Sequence, residues 1–439
     1  MKRRRVLLVA SVAGGHGDVA FAARAARALL EEPEVVLAVC LVKQSAGSGA
    51  HSLAALVAAA GIGRDDGGRV VALRLLLRQN EGARPAAEDD AASTLLAPSA
   101  ARLLSEGASF APEVVLQCPL KVFASGAAAA AAAGFCGLGD GAARLVTVRE
   151  FGQQAFASLC GPALDGDLDV SAGLAHDELG VFGGIAAEVG GGEGELDAAL
   201  ASAQIAGPAC LCVGHFRSSK GARAFGRAVA YLTAMSGGSS EDGDGERGAT
   251  LAALVPLDFE RDVLAGLASN PLVEGTPAFV DGALHFTLRG SGAVTVPIRD
   301  LPGLGLSPRA FVGLLARARF AVVTGDASLN EALSCSLPFY YSVEPHKVAL
   351  ASSLRQLATA GVCGEREGRG ERGGECGGSG GAADVLNFWQ LLDGVGGSWP
   401  LLQQLGRARL RDSFALWSGA VLRSRGRLEE RLRAVVLGP

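Results

Sequence analysis

Short continuous apolar runs, each broken by small polar residues and followed by a helical pattern, recur along this chain. Residues 5–13, RVLLVASVA, make the first, with the unbroken hydrophobicity of a strand buried on both faces of a parallel sheet. Gly14-Gly15-His16-Gly17-Asp18 interrupts it, and residues 19–30 continue as an alanine-rich helix carrying Arg24 and Arg27. Strands are expected at 35–42, 70–77, 112–117 and 144–149, a helix at 94–106, and a helix or low-complexity insert over the alanines 127–133. Glycine-rich residues 190–194 then separate a second series. It runs from a strand at 209–213, ending in a Gly214-His215-Phe216 loop, through a helix at 220–235, a strand at 251–256 and a helix at 308–319. Alternation of this kind predicts an α/β chain of two facing Rossmann-like domains, residues 1–190 and 205–399, with a C-terminal helical segment, 400–439, able to cross back to the first domain. The polar stretch 236–248 reads as disordered, and Gly/Glu/Arg-rich 364–381 cannot build a core.

The most informative stretch is residues 320–347, FAVVTGDASLNEALSCSLPFYYSVEPHK. A buried strand breaks at Thr324-Gly325-Asp326, a helix is expected from Ser328, a second strand spans 338–341, and a polar loop holds Glu344, His346 and Lys347. A strand running through glycine into a helix is an anion site, because the free amides and positive dipole end of the helix meet whatever the loop holds. Ser328 to Glu331 equally fits a capping box, in which serine and glutamate satisfy the first amides of a helix. Ligands of such sheets bind outside the carboxyl ends of the strands. The loops at Gly14, Glu150, Gly214 and Gly325 are therefore expected at one cleft, with the glycine-spaced residues 173–182 along its rim.

Gly325-x-x-Ser328-x-x-Glu331-Ala332, followed by Pro338, an apolar strand and a polar tail, resembles the donor-sugar site of GT-B glycosyltransferases. The resemblance implies that Gly325, Asp326, Ser328 and Glu331 hold a nucleotide diphosphate sugar, with Gly15, Gly17, His215, His346 and Lys347 contributing to donor binding. Gly17-Asp18-Val19 ahead of a helix is similar to the first loop of the elongation factor P arginine rhamnosyltransferases, whose aspartate faces the acceptor. Their Gly-Glu-Asp-Ser loop would lie over residues 325–328, where Ala327 takes one acidic position. Both similarities are confined to these two short segments. They imply metal-independent inverting transfer, with Asp18 as the base, or His16, whose imidazole titrates near working pH. Helix N-capping is the structural alternative for Asp18. Glu150, at the end of a strand, is the acceptor-side candidate or a loop-capping glutamate.

Rival readings rest on the same residues. Gly15-x-Gly17-x-x-Ala20 also fits a dinucleotide fingerprint, but the second strand ends at Lys43-Gln44 with no ribose-binding carboxylate, which leaves only an NADP-dependent oxidoreductase. The acidic position lost at Ala327 suits a catalytically inactive binding protein or scaffold, and a nucleotide-sugar epimerase shares the architecture.

Composition narrows the field. The formal charge of −5 and the lack of a basic stripe with interleaved aromatics exclude nucleic acid as a main partner. Nine cysteines without framework spacing indicate reduced thiols; Cys210-x-Cys212 lies within a strand, so no metal site is expected. Asp167-Leu168-Asp169 is expected in a glycine- and aspartate-rich loop, not at a strand end as a metal motif requires. The basic start, Met1 to Arg5, mimics a signal peptide, but its short apolar run is explained as a strand. No segment reaches the roughly 20 apolar residues of a membrane span. A cytoplasmic enzyme without a cofactor is the expectation, with a nucleotide sugar and a soluble acceptor, a protein or a small molecule, as partners.

Overall fold

The computed structural model describes residues 3–12, 16–43, 56, 60, 69–77, 86–87, 110–119, 122–123, 125–132, 143–149, 168–174, 178–183, 185, 192–205, 210–236, 251–360 and 379–438. The chain divides into two compact units, Met1–Phe182 with Arg427–Pro439, and Gly183–Gly426. Each is a Rossmann-like α/β domain. The expected helix at 94–106, the inserts at 237–248 and 364–378, Gly14, Gly15 and Glu150 lie outside the described residues.

In the first unit, strands β1 (Arg4–Val12), β2 (Val35–Lys43), β3 (Val70–Leu77), β4 (Ala86–Ala87), β5 (Val114–Cys118), β6 (Arg144–Arg149) and β7 (Leu168–Ser171) form one sheet in the order β4-β3-β2-β1-β5-β6-β7. All neighbours are parallel except β4 against β3. Val6 to Ala10 are wholly inaccessible, as an unbroken apolar strand covered on both faces should be. On one face, Leu7, Val9, Ala38, Cys40, Val115 and Leu145 pack with Ala129 and Ala130 of helix α2 (Gly126–Ala132). Helix α1 starts at His16 and runs to Leu30, so the turn after β1 is shorter than the sequence pattern suggests. Asp167-Leu168-Asp169 also departs from expectation: residues 168 and 169 belong to β7, where Asp169 pairs with Arg149 of the neighbouring strand.

The second unit begins at Gly183, ahead of the glycine run at 190–194. Helix α3 (Glu193–Ser202) explains this, because the Glu195 carboxylate accepts from the Ser307 amide and hydroxyl, each at 2.6 Å. Strands β8 (Cys210–His215), β9 (Leu251–Val255), β10 (Val273–Val280), β11 (Ala283–Leu288), β12 (Gly292–Asp300), β13 (Phe320–Val323) and β14 (Phe339–Tyr341) lie in the order β10-β11-β12-β9-β8-β13-β14. The five strands from β12 to β14 are parallel neighbours, and β10 and β11 extend the sheet as an antiparallel meander. Helices α4 (Ser219–Ser236), α5 (Glu260–Ala268), α6 (Pro308–Arg317), α7 (Asp326–Ser334), α8 (Val348–Ala360), α9 (Ser379–Asp393) and α10 (Trp399–Arg425) complete it. Gly406 breaks the regularity of α10.

The C-terminal segment is split between the units. Residues 400–426 belong to the second, whereas α11 (Leu428–Leu437) crosses back to the first. There Arg433 pairs with Glu31 and, at 3.3 Å, with Glu32, and Arg431 donates to the Glu178 carbonyl at 2.8 Å. Among the described residues no helix is long and apolar enough to cross a membrane.

One buried carboxylate ties several elements of the second unit together. Asp393, at the end of α9, accepts from the Tyr340 hydroxyl and from Arg355 Nη2, each at 2.5 Å, and Lys220 Nζ stands 3.5 Å away. Burial alone would push this carboxyl up. The hydrogen bonds from Tyr340 and Arg355 and the charges of Arg355 and Lys220 outweigh burial and hold it below the usual carboxylate range. Burial, reinforced by the bond to Asp393, pushes the Tyr340 phenol far above its own range, so it remains a donor.

A carboxyl lowered by folding contributes stability that is present above its unfolded value and lost as pH falls through the folded one. The window starts at the unfolded aspartate value of about 3.9 and extends below it. Asp393→Asn should therefore flatten the fall of the unfolding midpoint as the pH drops below about 4. Parallel acid slopes for the wild type and the variant in thermal melts would contradict the assignment.

Candidate functional site

The carboxyl ends of β8, β13 and β14 lie side by side, with Val323 opposite both His215 and Tyr341. Each strand passes into a helix. β13 leads through Thr324 and Gly325 into α7, β8 through Phe216 to Ser218 into α4, and β14 through residues 342–347 into α8. The starts of α4 and α7 thus sit at the ends of adjacent strands, and each brings a positive dipole end to the same edge.

Hydroxyl groups bind these three connections together. Thr324 Oγ1 donates to the Ser342 carbonyl at 3.2 Å, and Ser342 Oγ lies 3.0 Å from Ser218 Oγ. Ser218 caps α4 by accepting from the Gly221 amide at 3.2 Å. A Cβ at position 221 would stand 2.6 Å from Ser342 Oγ, so only glycine lets the first turn of α4 approach the end of β14.

Helix α7 begins at Asp326 with Gly325 as its N-cap, two residues ahead of the expected start. Ser328 Oγ accepts from the Gly325 amide at 3.2 Å and donates to the Gly325 carbonyl at 2.9 Å. The capping contact expected between Ser328 and Glu331 is thus replaced by one between Ser328 and Gly325, since the earlier start moves serine to the third helical position. Glu331 lies inside the helix and is buried. Lys347 Nζ is 2.7 Å from Asp326 Oδ1, with both side chains 7% exposed. That pair cancels the negative charge at the start of α7, where an unpaired carboxylate would oppose an anion.

His215 is the last residue of β8, not part of the loop, and its ring packs 5.2 Å from that of Phe311 on α6. The backbone of His346 is described, whereas its side chain falls outside the described residues, as does that of His16.

In the first unit Gly17 and Asp18 stand in the first turn of α1, and Asp18 is 8% exposed. Asp18 is inside the helix, not its N-cap, because α1 begins before it. Negative charge at that position is favoured by the helix dipole. A polar row missed by sequence reasoning runs along the carboxyl half of the same sheet. Gln117 Nε2 donates to Thr147 Oγ1 at 2.8 Å, and Arg149 grips Asp169 with Nε and Nη2 at 2.6 and 2.5 Å. Polar residues alternating with Val146 and Val148 in β6 were the available signal. In segment 173–182, Leu174, Val181 and Phe182 are buried, and the Phe182 ring lies 5.1 Å from that of Phe21 on α1.

No family model and no curated protein matches the chain. Among solved structures it is similar to that described as the basis for EarP-mediated arginine glycosylation of translation elongation factor EF-P, at 18% identity and TM-score 0.33, over 57% of this chain and 70% of that one. It is similar to the UDP-GlcNAc 2-epimerase of Neisseria meningitidis at 10% identity and TM-score 0.39, over 79% and 85%. It is also similar to WaaG, a glycosyltransferase involved in lipopolysaccharide biosynthesis, at 10% identity and TM-score 0.38, over 99% and 100%. No residue role passes from these proteins to this chain.

Breaking a buried ion pair by removing one partner leaves an uncompensated charge and costs about 3–5 kcal/mol, whereas replacing both partners by apolar groups is often close to neutral. Lys347→Met should therefore destabilise the second unit strongly in urea unfolding, and the double variant Asp326→Leu/Lys347→Met should recover most of the loss. Equal losses in both variants would show that the pair is not the unit that matters.

Proposed function

We propose that this protein is a cytoplasmic glycosyltransferase that moves a sugar from a nucleotide-sugar donor to a soluble acceptor, a protein or a small molecule, with inversion and without a metal. The observation that carries the reading is the shared edge of β8, β13 and β14. Two helix starts meet there, and the one carboxylate at the head of α7 is neutralised by Lys347. A diphosphate bound at that edge would meet helix amides and dipoles with no net opposing charge from this pair.

In this reading the acceptor loses its proton to Asp18, or to His16, and its freed electron pair attacks the anomeric carbon. The bond from that carbon to the diphosphate breaks, and the nucleoside diphosphate leaves with the electron pair. The helix starts stabilise the charge that develops on it. In the same reading Gly15 and Gly17 are assigned to donor binding and Glu150 to the acceptor side.

Two measurements test the proposal. Calorimetric titration with UDP, GDP and dTDP, with and without magnesium, should show one nucleotide binding with no need for the ion. Binding of none of the three would sink the donor reading, and conversion of the donor to an epimer without acceptor would favour an epimerase. Asp18→Asn should lower turnover about 10²–10⁴-fold if the carboxylate is the base. A purely helical role for Asp18 instead leaves turnover near normal and changes stability by about 1 kcal/mol at most.

A further inference from the structure

The strand that enters segment 342–347 and the helix that leaves it are bonded to a single carboxylate outside the segment. Tyr340, on β14 shortly before the segment, and Arg355, about two turns into α8, both donate to Asp393 at 2.5 Å. Lys220, in the first turn of α4 beside Gly221, is 3.5 Å from the same group. The Asp393 side chain is 8% exposed. The strand that enters the segment, the helix that leaves it and the helix start that abuts Ser342 are therefore referred to one fixed point.

Stability alone does not explain this arrangement. Phe339 of β14 already packs against Trp389 of α9 and against Phe414 and Trp417 of α10, with ring centroids 5.7–6.0 Å apart. Trp389 Nε1 also donates to the Phe339 carbonyl at 2.6 Å. Apolar burial anchors the strand, whereas desolvating a charged group offsets much of what its partners return. What a satisfied polar network adds is one defined geometry.

We propose that Asp393 is a positioning residue for the donor edge: through Tyr340 and Arg355 it fixes the path of residues 342–347, so that Ser342 meets Ser218 and Lys347 meets Asp326 before any ligand arrives. The inference rests on the reading of that edge as a nucleotide-sugar site. Preorganisation of this kind lowers the ordering cost of binding.

Hydrogen exchange on the ligand-free chain tests it without any nucleotide. In Asp393→Asn and in Tyr340→Phe, peptides covering 342–347 should exchange about tenfold faster, the effect of losing one charged hydrogen bond, while peptides from β9 stay unchanged. Unaltered exchange in 342–347, or faster exchange spread equally over β9, would overturn the proposal. Whichever nucleotide binds the wild type should bind both variants about tenfold more weakly at a temperature well below their melting points. Unchanged affinity beside loosened peptides would also overturn the link to the donor edge. Should the wild type bind no nucleotide, the donor reading fails by itself, and the exchange of 342–347 still decides whether Asp393 positions the segment.

Discussion

A parallel sheet covered by helices on both faces leaves polar chemistry few places to go. The strands must be apolar along most of their length, as Val6 to Ala10 and Phe320 to Val323 are. The parallel strands then end on the same side, where helices begin and their amides are unpaired. In both units several of the buried polar groups follow this rule. Arg149 closes β6, Asp18 opens α1, and Thr324, Ser342, Asp326 and Lys347 gather where β13 and β14 stop. The location of chemistry in this protein is thus a consequence of layer architecture before it is a matter of any one residue.

That constraint also explains which parts of the sequence could be read. Buried parallel strands are unbroken apolar runs, so β1, β2, β8, β9 and β13 stand out at nearly their observed limits. Helix starts were harder, because the glycine-containing residues 14–17 and 325–327 carry no periodic signal and allow a helix to begin two or three residues earlier than a capping pattern suggests. Asp18 and Ser328 both moved from cap to first turn for that reason. The meander β10-β11-β12 was not read from the sequence, although residues 283–288 alternate and Asp281-Gly282 forms a turn in which both residues have positive φ. Its strands are half exposed, however, and a search for buried runs passes over them.

The candidate site was legible in part. Gly325, Asp326, Ser328 and Lys347 were visible because they sit within one contiguous stretch. Asp393 was not, since its partners Tyr340, Arg355 and Lys220 come from three other elements and none is a near neighbour in sequence. The Arg149 grip on Asp169 was hidden for the same reason, although register places Thr147 beside Asp169 and Arg149 beside Ser171. Local motifs reveal what a loop holds. The groups that hold the loop are set by topology.

The glycine- and alanine-rich composition has a structural use at particular places. A Cβ on Gly226 of α4 would collide with the Val263 carbonyl of α5, and one on Gly266 of α5 would collide with the Arg223 carbonyl of α4. These two helices touch backbone to backbone, closer than larger residues allow. The same helix brings Gly221 against Ser342. Small residues along α4 therefore set two distances at once, its depth against α5 and the approach of its first turn to the end of β14. Because a dipole acts only within about the first turn of a helix, that approach decides whether α4 contributes to the charge of the edge at all. With aromatic residues scarce, the rings are concentrated behind β14, where Phe339, Trp389, Phe414 and Trp417 fill the space that small residues leave open. Tight backbone contact on one side of the site and bulky rings on the other are two solutions to the same demand, that the strand ends keep their positions.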